Sequence, residues 1–99
     1  MMKMNGIRES IEKALKDGKA FAVGYGWGSA EFSAPLDASG KRLIYADTEW
    51  GITITLCMTA EIQTVEGKEC LACTHDGVCK LGLKIEDIEE FEEIEEECE

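Results

Sequence analysis

Ninety-nine residues, 44% of them hydrophobic, are enough for one small core and too few for two. A net charge of −11 argues against direct binding to nucleic acid, whose phosphates demand a basic face, and against an anionic membrane surface. No apolar run approaches the roughly 20 residues that cross a bilayer, and the opening Met1–Gly6 segment lacks the apolar stretch of an export signal, so a single cytoplasmic domain spanning 1–99 is expected.

The charge is unevenly placed. Residues 84–99 hold ten acidic residues and one lysine, a net of −9, whereas residues 1–83 are nearly balanced. The five cysteines are an odd set without an export signal, which points to reduced core thiols or metal ligands rather than disulfides.

Residues 5–17 carry Ile7, Ile11, Ala14 and Leu15 at i, i+4, i+7 and i+8, one stripe of an amphipathic helix. Asn5 is placed to cap its start and Gly18 to stop it, and Glu9–Lys13 and Glu12–Lys16 have the spacing of helix ion pairs. Residues 19–29 then switch to period two. Phe21, Val23, Tyr25 and Trp27 share one face, and Ala20, Ala22, Gly24, Gly26 and Gly28 the other, a bare surface on which another backbone, the first helix, is expected to pack. Residues 31–34 continue the sheet, and 35–40 form a turn by composition.

Strands are expected at 42–46, at 52–58 and at 60–65. In the second of these Ile52, Ile54, Leu56 and Met58 alternate with Thr53, Thr55 and Cys57, as in a half-buried antiparallel strand. Glu66-Gly67 marks a turn. Asp76-Gly77 is a hairpin signal between strands at 68–75 and 78–83. Residues 84–99, with Ile85, Ile88, Phe91, Ile94 and Cys98 within one half-turn arc, read as an acidic helix docked by one side. The expected fold is therefore α+β: an N-terminal helix, an antiparallel meander of five to six strands, and an acidic C-terminal helix.

Three candidate sites emerge. Cys70, Cys73, His75 and Cys79 contain the Cys-x₂-Cys bite of a zinc knuckle, which makes a small zinc-stabilised module one reading. Yet a two-residue hairpin at Asp76-Gly77 places Cys70 and Cys79 on one face of the sheet and Cys73 and His75 on the other, where they cannot share a metal. The Tyr25/Trp27 face, with Trp50, offers an aromatic platform for a small molecule, although alternating strand aromatics usually fill a core. Gly24-x-Gly26-x-Gly28 lacks the spacing and the following helix of a phosphate loop.

Nothing points to catalysis. There is one histidine, no nucleophile elbow, and only Asp47 and Glu49 as a possible carboxylate pair, which as turn residues are expected to be solvated.

The third candidate is the acidic segment itself. Glu86, Asp87, Glu89, Glu90, Glu92, Glu93 and Glu96 on an ordered element would present carboxylates at regular spacing, as a duplex presents phosphates. In size and charge pattern the chain resembles small acidic phage-encoded proteins that block nucleic-acid-handling enzymes, though no motif is shared. That likeness implies a non-enzymatic anti-defence inhibitor of the anti-CRISPR kind. It would need no cofactor and would dock on a basic cytosolic protein through the acidic helix and a nearby sheet edge.

Overall fold

The N-terminal stripe folds as its spacing dictates. In the computed structural model, which describes residues 3–26, 28–36, 40–48 and 51–94, helix α1 spans Lys3–Asp17 and buries Ile7, Ile11 and Ala14. It begins two residues before Asn5, which lies inside the helix rather than capping it. Gly18 ends it at φ +70°, with Gly18 N–H donating to Leu15 O at 3.3 Å and Lys19 N–H to Ala14 O at 2.9 Å. This is a Schellman motif, which satisfies the last carbonyls and needs a residue at ease in the left-handed region. The helix ion pairs are Arg8–Glu12 and Lys13–Asp17 rather than those expected, with the same i,i+4 spacing in a different phase.

Among the described residues eight antiparallel strands follow, more than the five to six expected. They are β1 (Ala20–Tyr25), β2 (Gly28–Phe32), β3 (Arg42–Thr48), β4 (Gly51–Cys57), β5 (Thr59–Val65), β6 (Lys68–His75), β7 (Val78–Lys84) and β8 (Ile88–Ile94). The extra strands come partly from residues 19–29, which do not run straight through. Tyr25 lies opposite Gly28, so β1 and β2 form a hairpin around the small residues that had read as one bare strand. The hairpins at Glu66-Gly67 and Asp76-Gly77 form as expected, with φ +53° and +79° in the first and +55° and +78° in the second.

β1 to β4 build a meander, the chain crosses to a second sheet of β5, β6 and β7, and β8 returns to the first. The sheet orders are β4-β3-β2-β1-β8 and β5-β6-β7. Phe21, Val23 and Tyr25 bury their face of β1, as period two requires. Phe21 stacks on Phe32 at 4.7 Å between ring centroids, and on Phe91 at 5.6 Å. Leu71, Cys73 and Leu83 of the second sheet, with Ile7 and Ile11 of α1, complete one core.

Among the described residues the acidic C-terminal helix is not formed. A short 3₁₀ turn (Ile85–Asp87) leads instead into β8, which pairs with β1. The reason is a β-bulge. Tyr25 lies opposite Ile88 and Gly24 opposite Glu90, so Glu89 is an extra residue in the ladder. The bulge brings Ile88 and Phe91, three apart, onto the same face against Tyr25 and Val23, where a regular strand would oppose them. A spacing of three thus imitates a helix stripe. An extended chain also avoids the i,i+4 repulsion that Glu86–Glu90 and Glu89–Glu93 would suffer in a helix.

β4 is inverted relative to expectation. Its clean alternation holds, but Cys57 faces the core, whereas Ile52 and Ile54 are 60% and 62% exposed on the outer face of the sheet.

Candidate functional site

The densest concentration of charge lies along β8 and the turn before it. Glu86, Asp87, Glu89, Glu90, Glu92 and Glu93 are all exposed. Six of the seven acidic residues singled out from the sequence therefore share one margin; Glu96 lies outside the described residues. Lys68 Nζ reaches Glu86 Oε2 at 3.3 Å, so Glu86 is partly neutralised, while no ion pair is formed by Glu89, Glu90, Glu92 or Glu93 among the described residues.

Pairing with β1 gives these side chains direction. Glu90 lies opposite Gly24 and Glu92 opposite Ala22, both on the bare side of β1. The bare side was expected to receive α1, and that is corrected by the structure. A Cβ at Gly24 would stand 3.3 Å from Glu90 Oε1 and 3.5 Å from Glu90 Cβ, and one at Gly26 would meet nothing within 4 Å. The missing side chain at Gly24 makes room for the Glu90 carboxylate, whereas α1 buries Ile7, Ile11 and Ala14 in the core with Phe21, Val23 and Tyr25 and meets the bare side only across an open cleft.

Between α1, β1 and β8 lies an open cleft of about 770 Å³, lined by Gly6, Ile7 and Ser10 of the helix, by Ala22, Val23 and Gly24, by Ser29, and by Glu89, Glu90, Phe91 and Glu92. Three carboxylates border it, and among the described residues no basic side chain lines it. Its non-acidic wall escaped the sequence reading, although the run Ala20, Ala22, Gly24 was the signal for it.

The cysteine cluster is not gathered. Cys73 is bonded to Cys57, with Cα atoms 5.9 Å apart and both residues fully buried, so the expectation of reduced thiols fails at this pair. The hairpin register matches the expected one, with His75 opposite Val78 and Thr74 opposite Cys79. Cys70 and Cys79 thus lie on the face away from Cys73 and His75, and both keep free thiols. Among the described residues no group of three or more His, Cys, Asp or Glu side chains is placed to hold a metal. His75 instead approaches Asp76, Nε2 to Oδ2 3.5 Å.

Tyr25 is a core residue at 6% exposure, its phenol pushed up in pKa by burial, and offers no platform. Trp27, Trp50 and Glu49 lie outside the described residues. Asp47 is exposed on the outer sheet face.

The fold and its margin define a small α+β protein of two antiparallel sheets with one acid-rich edge. Comparison with protein-family models, with curated proteins and with solved structures gives no significant match to any of them. No helix among the described residues is long and apolar enough to cross a membrane.

Proposed function

We propose that this chain is a non-enzymatic acidic binding protein that captures a basic, nucleic-acid-handling protein in the cytoplasm, acting as an inhibitor in the manner of an anti-CRISPR protein. The observation that carries the proposal is the cleft beside β8, where Glu89, Glu90 and Glu92 border a wall of alanine and glycine next to α1. Such a cleft suits a lysine or arginine side chain: the aliphatic stem lies on the small residues and the cation meets the carboxylates.

The spacing supports the same reading. On the bare side of β1, Glu90 and Glu92 stand two strand rises apart, roughly 6.6 Å, about two phosphate spacings of a single DNA strand, with Glu89 beside them at the bulge. A protein surface shaped for phosphates would meet regularly spaced carboxylates here. Attraction of this kind acts chiefly on association rate and weakens with salt. The proposal is tested by replacing Glu89, Glu90, Glu92 and Glu93 with glutamine and comparing what parent and variant retain from a lysate.

A further inference from the structure

The four sheet edges are not protected alike. β8 carries four glutamates, β5 carries Glu61, and β7 carries Lys80 and Lys84, whereas β4 has no charged residue and no proline along its seven positions. Charges and prolines are what normally stop an edge strand from pairing with another chain. β4 also turns its isoleucines outward: Ile52 and Ile54 stand on the outer sheet face, with Tyr45 opposite Ile54 and Leu43 opposite Leu56 on β3.

We propose that β4 is a homodimerisation edge, on which β4 of a second copy pairs antiparallel to make one continuous ten-stranded sheet. The strand is self-complementary. A two-fold axis through Ile54 sets Ile54 against its own copy, Ile52 against Leu56, and Thr53 against Thr55, so apolar residues meet apolar on one face and threonines meet on the other. β-Branched cross-strand pairs of this kind are among the stabilising ones.

The charge distribution selects the occupant. A two-fold contact sets each edge against its own copy, which at β8 opposes glutamates, at β7 lysines and at β5 Glu61 to its counterpart; among the described edges β4 alone meets its copy without like charges. The acidic margin lies four strand spacings away across the sheet, roughly 19 Å, and Asp47 of each copy would be three spacings from its counterpart, roughly 14 Å. Both distances exceed the Debye length of about 8 Å at physiological ionic strength. A charged partner, by contrast, finds nothing on β4 to pair with. The dimer would carry its two acidic margins at the far ends of the sheet, and so bind a basic partner bivalently.

The test is sedimentation velocity of the full chain from about 1 to 100 µM, with Ile54→Lys and Ile52→Lys as variants and thermal melts to show that each is folded. The parent should pass to a species of twice 10.9 kDa as concentration rises, equally in low and high salt, and each lysine should weaken dimerisation at least about tenfold. The alternate amides within residues 52–56 that point away from β3 should gain hydrogen-exchange protection in the parent on concentration, a reading that needs no variant. A parent monomeric throughout, a dimer indifferent to both lysines, or an open-ended ladder of copies would each overturn the proposal.

Discussion

Gly24 stands directly across the β1–β8 ladder from Glu90, and the space its missing side chain leaves is held by the Glu90 carboxylate. The pair joins the bare face of one strand to the charged face of the other, and both residues line the cleft beside α1.

Filling that space tests the arrangement. Gly24→Val should change stability by less than about 1 kcal/mol, because a β-branched residue favours a strand and the neighbouring atom is the free end of a flexible side chain. The same change should weaken capture of a basic partner by narrowing the cleft. A denaturant melt showing a loss above about 3 kcal/mol would mean that a packed element covers this face after all.

The Cys57–Cys73 bond ties the last residue of β4 to the C-terminal half of β6, and so joins the two sheets through the core. Closing a loop of 16 residues should contribute about 3 kcal/mol by restricting the unfolded chain. Reductant should therefore lower the melting temperature, and the double variant Cys57→Ala, Cys73→Ala should behave like the reduced parent or somewhat worse. Peptide mapping without reduction should recover the two cysteines linked. Recovery of both as free thiols from cells trapped at harvest would show that the reduced form is the one at work.

Arg8 of α1 reaches across to Glu69 of β6, Nε to Oε1 2.7 Å and one guanidinium nitrogen to Oε2 3.0 Å. This hydrogen-bonded pair holds the Glu69 carboxyl below its ordinary value of 4.5, against a smaller opposing effect of burial. A depressed folded pKa means a contribution that is fully present above 4.5 and lost as pH falls through the lower folded value. The stability difference between parent and Glu69→Gln should be constant above that pH and should shrink below it. A difference that persists unchanged into strong acid would assign the effect to packing.

The strand assignment of the acidic segment is open to a sharp check. Ile88 is fully buried and Phe91 half-buried on the same face. Ile88→Ala should cost about 2–4 kcal/mol and Phe91→Ala less, since more of its ring remains wet. Nuclear Overhauser contacts should join Val23 to Phe91 and Ala22 to Glu92, and residues 88–94 should show extended chemical shifts. Helical shifts there would restore the amphipathic-helix reading.

Much of this was legible in the chain. The stripe Ile7, Ile11, Ala14 and Leu15, the stop at Gly18, the buried face of Phe21, Val23 and Tyr25, and the hairpins at Glu66-Gly67 and Asp76-Gly77 follow from local periodicity and turn chemistry alone. The rest depended on contacts distant in sequence. A bulge at Glu89 exists only because β8 pairs with β1, and without it Ile88, Phe91 and Ile94 have helical spacing. β4 shows which residues share a face but not which face is inward, since that is decided by Cys57 reaching Cys73. The acidic residues were visible as a group; the cleft they border was not, because its other wall is built from residues 6 to 29.

The central claim is that the β8 carboxylates recognise a basic partner. The most direct measurement is a pull-down from host lysate with the parent and with the variant Glu89→Gln, Glu90→Gln, Glu92→Gln, Glu93→Gln, identified by mass spectrometry and repeated across a salt series. The substitution keeps side-chain size and leaves the buried Ile88 and half-buried Phe91 untouched, so the variant should fold as well as the parent. The expected result is a basic, nucleic-acid-handling protein held by the parent, lost from the variant, and released from the parent as screening grows. Equal retention of the same proteins by both, at every salt concentration, would contradict the account and leave the acidic margin as a solubilising edge.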